Sequence, residues 1–287
     1  MKKILITGSR GQLGFEFQNL KSKFIDLKFF FTDIELDIRD KHSVEFFIKK
    51  NQIDCLINTA AYTNVKKAEI EKNEANSINQ KGVKNLVELA EEYKFKLIHI
   101  STDYVYNGSD ENPLSEYDSV QPVNYYGLSK RNGEIHIQNS KSESIVIRTS
   151  WLYSYFGNNF VNTILKKIKH KEKIQVVNDQ FGCPTNARDL AMDTIKIINS
   201  NIRLDKYGKI YNYSNLGSTN WSNFAKKIAE LLNKQHEIQE VSSQFFKPDV
   251  NRPKYTITNK DKIIDVFDLK IDHWEKSLKT YLFNLDK

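Results

Sequence analysis

The feature that most constrains the fold is a glycine-rich turn near the start of the chain. Gly8, Gly11 and Gly14 form a GxxGxxG pattern between the apolar run at residues 3–7 and a helical pattern that begins at about Gln12. Glycine permits a tight turn, lets the backbone approach a pyrophosphate and lets the helix pack closely on the strand. The helix N-terminus then offers unpaired N–H groups to phosphates. The turn therefore predicts a dinucleotide site at the end of a buried strand.

The first half of the chain alternates short apolar runs with helical patterns. Further strands are predicted at residues 27–32, 55–59, 96–101 and 145–148, and helices at residues 76–93 and 126–138. Strands that alternate with helices predict an α/β fold with a Rossmann-type, doubly wound parallel sheet. Ligands bind such sheets outside the carboxyl ends of the strands, which is where the polar motifs of this chain fall.

The second half of the chain is less regular. It has a predicted strand at residues 174–177 and predicted helices at residues 158–170, 187–198, 221–232 and 274–283, without a repeat or a low-complexity linker. We therefore expect a Rossmann domain at residues 1–150. A smaller C-terminal α/β domain for the substrate is expected at residues 151–287, with some of its segments returning to the first domain.

Composition limits the class of protein. The 287 residues are 39% hydrophobic and 28% charged, as in ordinary soluble proteins. The first apolar run stops at Thr7, which is too short for a signal peptide, so a cytoplasmic protein is expected, with no membrane partner. A net charge of +7 suits an anionic ligand such as a nucleotide diphosphate. No nucleic-acid motif accompanies it, and the distant Cys55 and Cys183 are expected to be buried thiols.

The residue after the second predicted strand bears on the choice of nucleotide. Asp33 lies where an acidic side chain would take the hydroxyls of an adenine ribose. It favours NADH, because a carboxylate repels a 2′-phosphate. Arg10, inside the turn, favours NADPH, because a guanidinium can pair with that phosphate. The two signals conflict and leave the choice between NADH and NADPH open. Asp37 either approaches the adenine or caps a surface helix.

A tyrosine and a lysine supply acid–base chemistry. Tyr126 and Lys130 lie one turn apart on one face of a predicted helix. A lysine ammonium at that distance would stabilise a phenolate and lower the pKa of the tyrosine. Thr102, at the end of a predicted strand, would hydrogen-bond a substrate oxygen, although such a residue can also cap the next turn. Asn79 would hold a helix kink or lie on the helix surface.

Together these motifs resemble the extended short-chain dehydrogenases/reductases and, within that family, the dTDP-4-dehydrorhamnose reductases. The stretches that carry the resemblance lie in the first two thirds of the chain, at residues 8–14, 58–69, 101–105, 122–134, 148–153, 157–160 and 178–185. The segments at residues 148–151 and 179–182 are more specific than the spacing of Tyr126 and Lys130, which the whole superfamily shares. The resemblance implies a Rossmann domain joined to a smaller sugar-nucleotide domain.

The resemblance also implies residue roles. Tyr126 would be the proton donor to the C4 oxygen, Lys130 its electrostatic support and Thr102 the hydroxyl that tunes it. The positions implied for the dinucleotide are Gly11, Gln12, Leu13, Asp33, Asp37, Ile38, Ala60, Ala61 and Tyr62, with Tyr126 and Lys130 at the nicotinamide end. Those implied for the sugar nucleotide are Thr102, Asp103, Tyr104, Trp151 and, in an Arg-Pro element, Arg252.

The implied activity is reduction, by NADPH or NADH, of the C4 keto group of a dTDP-4-keto-6-deoxy sugar, with dTDP-L-rhamnose as the product, by a monomer or homodimer. The alternatives are a reductase or epimerase of another nucleotide sugar and a non-catalytic nucleotide-binding regulatory subunit. A dehydratase is disfavoured, because Asp103 and Tyr104 stand where that class has an Asp-Glu pair after its threonine.

The chain departs from the family pattern at several positions. Lys66 stands where an acidic residue is usual, and Tyr255 and Asn259 replace an expected serine and aspartate in the region for the nucleotide end of the sugar substrate. Some relatives hold a magnesium ion between acidic side chains of two subunits. Glu16 is suitably placed for that, but Arg188 occupies a position where an acid would be needed, so no metal is predicted.

Overall fold

The computed structural model describes residues 1–285. The strands in that part of the chain are β1 (Lys2–Thr7), β2 (Leu27–Phe31), β3 (Cys55–Asn58), β4 (Lys96–Thr102), β5 (Ser144–Thr149), β6 (Leu152–Tyr153), β7 (Ile174–Val177), β8 (Phe181–Gly182), β9 (Thr185–Asn186), β10 (Ile210–Asn212), β11 (Thr219–Asn220) and β12 (Ile238–Val241). None of the helices described there is long and apolar enough to cross a membrane.

The helices of the same residues connect these strands. They are α1 (Gln12–Leu20), α2 (Lys41–Asn51), α3 (Val65–Ala68), α4 (Lys72–Asn76), α5 (Val83–Tyr93), α6 (Tyr125–Gln138), α7 (Phe160–Lys169), α8 (Ala187–Asn199), α9 (Trp221–Leu231), α10 (Asp261–Phe267) and α11 (Trp274–Phe283). A π-helical segment, Ser77–Gly82, joins α4 to α5.

A parallel sheet forms the centre of the molecule, with the strand order β10-β5-β4-β3-β1-β2. Alternate side chains of β1 serve the two faces: Ile4 and Ile6 belong to one apolar cluster with α1 and α8, and Leu5 belongs to another with α2 and α5. Helices on both faces explain why the strands read as continuous apolar runs. The predicted doubly wound α/β fold is confirmed.

A third apolar cluster lies outside the sheet. It joins α7, α9 and α11 with the parallel pair β7 and β12, and it includes Phe224, Trp274 and Tyr281. These elements come from the second half of the chain, as the expected substrate domain does. One segment of that half, β10, pairs with β5 in the central sheet. The boundary at residue 150 stays a prediction.

The prediction of one regular helix over residues 76–93 is wrong in detail. The helical stretch begins at Lys72 and passes through the π-helical segment before it becomes α5. Asn79 lies in that segment and is 1% exposed, so it is not a surface residue. Its side-chain amide accepts a hydrogen bond from Tyr62 N and donates to Tyr62 O. It also donates to Ser129 Oγ of α6. The irregular turn therefore joins three segments. Cys55 and Cys183 are free and buried, as predicted.

Candidate active site

A cavity of about 730 Å³ opens at the carboxyl ends of the central strands. It lies where the strand order reverses, between β1 and β3, which is the usual ligand position in doubly wound sheets. The residues predicted for a dinucleotide that line it are Gly8, Gly11, Gln12, Leu13, Asp33, Asp37, Ile38, Ala60 and Ala61. The predicted catalytic and substrate residues that line it are Thr102, Asp103, Tyr104, Tyr126, Lys130, Trp151 and Arg252. Gly14 and Tyr62 do not line this cavity.

The glycine turn is built for close approach of backbone to backbone. Gly8 has φ +68°, and a Cβ there would lie 2.5 Å from Ala60 N, so β1 and β3 can meet here only through glycine. Gly14 acts from behind the cavity: a Cβ would lie 2.5 Å from Ser9 Cα. Gly11 precedes α1 without a side-chain cap, and the first turn of the helix carries no acidic residue. The free N–H groups of this turn can therefore hold an anion.

The two groups that gave conflicting signals about the nucleotide already have partners. The Asp33 carboxylate accepts hydrogen bonds from Arg10 N (2.9 Å) and Ile34 N (3.0 Å). The Arg10 guanidinium lies 3.3 Å from the Glu35 carboxylate, and both side chains are more than half exposed. Because exposed pairs of this kind are weak, the guanidinium is free to exchange its partner for a ligand phosphate.

Of the other residues predicted to bind the dinucleotide, some line the cavity and one, Tyr62, does not. The Asp37 carboxylate binds the Arg39 guanidinium, which lowers the pKa of Asp37. Asp40, rather than Asp37, caps α2. Ala60 and Ala61 line the cavity, whereas the Tyr62 hydroxyl donates to Glu71 and its peptide groups bind Asn79. The structure therefore gives Tyr62 a supporting position, outside the cavity lining.

The predicted acid–base residues meet at one end of the cavity. Burial raises the pKa of Tyr126 well above its usual range, and a hydrogen bond with the Thr102 hydroxyl opposes that rise. The Tyr104 ring stands edge-on to the Tyr126 ring, with 5.8 Å between centroids. The phenol therefore keeps its proton at neutral pH and lies beside a hydroxyl that can share a substrate oxygen.

Lys130 shares the cavity with Tyr126 but points elsewhere. Its Nζ donates to Ile100 O of β4 at 2.7 Å and lies 3.3 Å from His99 Nε2. Within residues 1–285, no hydrogen bond joins Nζ to the phenol of Tyr126. Burial lowers the pKa of Lys130 to about 8, and the Glu134 carboxylate opposes that effect. The predicted support of a phenolate by this ammonium is therefore not a direct hydrogen bond in this arrangement.

Asp103 carries an unsatisfied carboxylate oxygen in the same cavity. The side chain is 3% exposed, its Oδ1 accepts from the Thr102 hydroxyl at 3.1 Å, and Oδ2 has no partner. Burial raises the pKa of Asp103 to about 6, against hydrogen bonds from Thr256 and Thr102. A buried oxygen without a partner is costly, so this one is a candidate acceptor for a ligand hydroxyl.

The substitution Asp103→Asn is expected to change how the free energy of unfolding depends on pH. Because the folded-state pKa of about 6 exceeds the ordinary value of an aspartate, the folded protein holds an extra proton between about pH 4 and 6. The wild type should therefore lose stability, relative to the variant, as pH rises through that window, by up to about 3 kcal/mol. Urea unfolding at several pH values tests this, and parallel pH curves for the two proteins would contradict it.

Two stacked aromatic rings form another part of the cavity wall. Trp151 has φ +45° and its ring stacks on that of Trp221, with 3.5 Å between centroids. Trp221 also lines the cavity and was not predicted as a site residue, because in the sequence it is only the first residue of a helix. The Arg252 guanidinium donates to the Tyr104 hydroxyl at 3.3 Å. The cavity wall therefore offers a flat apolar surface and, at Arg252, a positive charge.

The departures from the family pattern have local partners. Lys66, which replaces an acid, forms an ion pair with Asp249. Glu16 is fully buried, accepts from the Ser154 hydroxyl and lies 3.7 Å from the Arg188 guanidinium. Among the described residues, no group of three or more histidine, cysteine or acidic side chains is arranged to hold a metal ion.

Comparisons with known proteins cover the length of the chain. Residues 1–286 match the family profile described as RmlD substrate binding domain. The spore coat polysaccharide biosynthesis protein SpsK of Bacillus subtilis is 35% identical over 283 residues, 98% of this chain and 97% of that protein. A dTDP-4-dehydrorhamnose reductase of Aggregatibacter actinomycetemcomitans is 33% identical over 290 residues, 97% of this chain and 98% of that protein. The crystal structure of dTDP-4-dehydrorhamnose reductase from Bacillus anthracis in complex with NADP has a TM-score of 0.91 and 35% identity, and covers 99% of this chain and 100% of that one.

Proposed function

The chain belongs to the RmlD substrate binding domain family, and from that premise we propose that it reduces the C4 keto group of a dTDP-4-dehydro-6-deoxyhexose with NADPH or NADH. The proposed substrate is dTDP-4-dehydro-L-rhamnose and the product is dTDP-L-rhamnose. One observation carries the proposal: the phosphate-binding turn and the Tyr126 phenol line the same cavity. A dinucleotide held at the turn can therefore reach a substrate held beside the phenol.

The residues fit a dinucleotide at one end of the cavity. Side chains on Gly8 would close the turn against Ala60, and the uncapped start of α1 supplies N–H groups for a diphosphate. When bound, the dinucleotide supplies the hydride that reduces C4. Arg10, whose exposed ion pair with Glu35 is weak, could bind the 2′-phosphate of NADPH. Asp33 could bind the ribose hydroxyls of NADH.

The proton for the C4 oxygen comes from Tyr126 in the proposed reaction. Its raised pKa keeps the phenol protonated until the developing alkoxide, a stronger base, takes the proton. Thr102 hydrogen-bonds the phenol and can share the substrate oxygen, which positions the two oxygens for transfer. Asp103 Oδ2 is available to a sugar hydroxyl.

The nucleotide part of the substrate is assigned to the aromatic part of the cavity wall and to Arg252. The stacked rings of Trp151 and Trp221 offer a flat wall, and Arg252 offers a cation that suits a diphosphate. Arg252 contacts Tyr104, and Tyr104 contacts Tyr126, so a diphosphate held by Arg252 would place the sugar near the Tyr126 phenol.

The deciding experiment is a panel of 4-keto-6-deoxy sugars carried by different nucleotides, assayed by loss of reduced-cofactor absorbance with NADH and NADPH in parallel. We expect oxidation of the cofactor with the dTDP-linked sugar and slower oxidation with the other bases. Absence of oxidation with every sugar, while the dinucleotide still binds, would favour the regulatory alternative. Tightly retained NAD with isomerisation and no net oxidation would favour an epimerase.

The substitution Gly182→Ala tests the assignment of Trp151. A Cβ at this position would lie 2.7 Å from the Trp151 indole, and the stack on Trp221 limits how far that ring can retreat. We expect KM for the nucleotide sugar to rise about tenfold, the usual scale of a forced shift in a packed site. The Kd of the dinucleotide serves as the control and should stay the same. An unchanged KM would remove Trp151 from the substrate site.

A further inference from the structure

A buried chain of polar side chains runs beneath the cavity and ends at Lys130. The Thr7 hydroxyl donates to Asn58 Oδ1 at 2.8 Å, and Asn58 Nδ2 lies 3.0 Å from His99 Nδ1. His99 Nε2 in turn lies 3.3 Å from Lys130 Nζ. All four side chains are at most 2% exposed. Buried polar groups of this kind must match donors to acceptors, so the protonation of each member can be worked out from its neighbours.

The orientation of the Asn58 amide is fixed by the backbone. Ala60 N lies 3.1 Å from Asn58 Oδ1, and a peptide N–H can only donate. Oδ1 is therefore the amide oxygen, and the NH2 group faces His99. Since that NH2 group can only donate, His99 Nδ1 must accept and carries no proton. The remaining ring proton of a neutral histidine then sits on Nε2, facing Lys130.

This tautomer of His99 determines the protonation state of Lys130. An ammonium has only donors, so a protonated Lys130 would face the Nε2–H of His99 donor to donor at 3.3 Å. A neutral amine has one lone pair for Nε2–H and can still donate to Ile100 O, which lies 2.7 Å away. Only a neutral Lys130 amine therefore gives every donor in this series of side chains an acceptor.

We propose that His99 is a positioning residue that donates its Nε2–H to Lys130 and holds that side chain as a neutral amine against β4 in the cofactor-free protein. Burial lowers the pKa of His99 well below its usual range, in agreement with a ring that stays neutral. The titratable and charged groups around this pair are Tyr126 and Glu134 on α6, Asp103 and Tyr104 after β4, and Arg148 on β5, which is paired with Glu134. Of these, Glu134 favours the ammonium and is outweighed by burial.

The consequence for catalysis rests on the proposed function. A reductase that supports its tyrosinate with an ammonium must first protonate Lys130, and protonation breaks the hydrogen bond with His99. His99 and Asn58 therefore set the cost of releasing Lys130 from β4, without touching substrate. A merely structural histidine would pack equally well with either tautomer and would leave the titration of Lys130 alone.

The first test is the ring tautomer of His99 in cofactor-free protein. Nitrogen-15 NMR of the labelled histidines, with the His99 signals assigned by their loss in His99→Asn, should show a protonated Nε2 and an unprotonated Nδ1 at every pH where the protein is folded. A proton on Nδ1, or an imidazolium near neutral pH, would overturn the proposal.

The second test follows Lys130 by the carbon-13 shift of its Cε. In the wild type it should titrate near the value of about 8 given above. The carboxylate introduced by Asn58→Asp would accept from Nδ1–H, swap the tautomer and raise the Lys130 midpoint by about one pH unit. Thr7→Val is the matched control: it removes another hydrogen bond to the same Asn58 oxygen, leaves Ala60 to orient the amide, and should change neither reading.

If Asn58→Asp does not fold, the substitution His99→Asn tests whether His99 donates to Lys130. The shorter amide cannot reach Lys130, so the titration midpoint of Lys130 should rise in this variant as well. An unchanged midpoint would refute the hydrogen bond from His99 to Lys130. These readings need no turnover. A protein that reduces no sugar but shows the expected tautomer would refute the proposed function and keep this inference, and the reverse result would refute the inference alone.

Discussion

Replacement of Tyr126 by phenylalanine is expected to lower kcat by at least about a hundredfold, the usual scale for removing a positioned acid. In the proposed reaction the Tyr126 hydroxyl, which hydrogen-bonds Thr102, is the proton donor, and phenylalanine lacks that hydroxyl. Cofactor oxidation with the dTDP-4-keto sugar measures the loss. Binding of the dinucleotide, followed separately by fluorescence, should remain, because the phosphate-binding turn is untouched.

The neighbouring residue gives a matched control for that substitution. Tyr125 opens the same helix, and its ring lies under the Lys72 ammonium at 5.3 Å rather than in the cavity lining. Tyr125→Phe should therefore retain activity close to that of the wild type. Equal losses in Tyr126→Phe and Tyr125→Phe would mean that the helix, and not the phenol, was disturbed. Unchanged turnover in Tyr126→Phe would end the catalytic assignment.

The sequence predicts the central fold well because each strand is short, apolar and followed by a polar motif. It misses β10, since Ile210–Asn212 is only three residues long and has no periodicity to mark it. Its place beside β5 depends on a long-range pairing that local patterns do not encode. The π-helical turn around Asn79 is missed for a related reason: its amide bonds Tyr62 and Ser129, which lie far away in the sequence.

The sequence predicts which residues form the candidate site better than it predicts how their side chains are arranged. Spacing places Tyr126 and Lys130 on one helix face, and both line the cavity. Spacing does not reveal the direction of the Lys130 side chain, because that depends on His99 and on the carbonyl of Ile100, two residues of another element. Trp221 is missed because only the fold brings it against Trp151.

The largest effect on stability is expected from Arg148→Met. The Arg148 guanidinium is 2% exposed and binds both oxygens of the fully buried Glu134 carboxylate, at 3.0 and 2.7 Å. It also donates to the Tyr106 hydroxyl at 2.9 Å. Glu134 lies on α6 one turn beyond Lys130, so the pair ties α6 to β5. Removing Arg148 leaves the buried carboxylate with only the longer contact to the partly exposed Arg131, which costs about 3–5 kcal/mol.

Urea unfolding measures that cost, and Arg131→Met provides the comparison. Arg131 approaches the same carboxylate at 3.2 Å, but its side chain is 21% exposed and the carboxylate keeps Arg148, so a loss of about 1 kcal/mol or less is expected. The double replacement Glu134→Leu with Arg148→Met removes both charges and should recover part of the stability, because the cost comes from the unpaired ion and not from the missing pair. Equal losses in the two arginine variants would show that the buried pair does not anchor α6, and the position of Tyr126 and Lys130 would then depend on apolar packing alone.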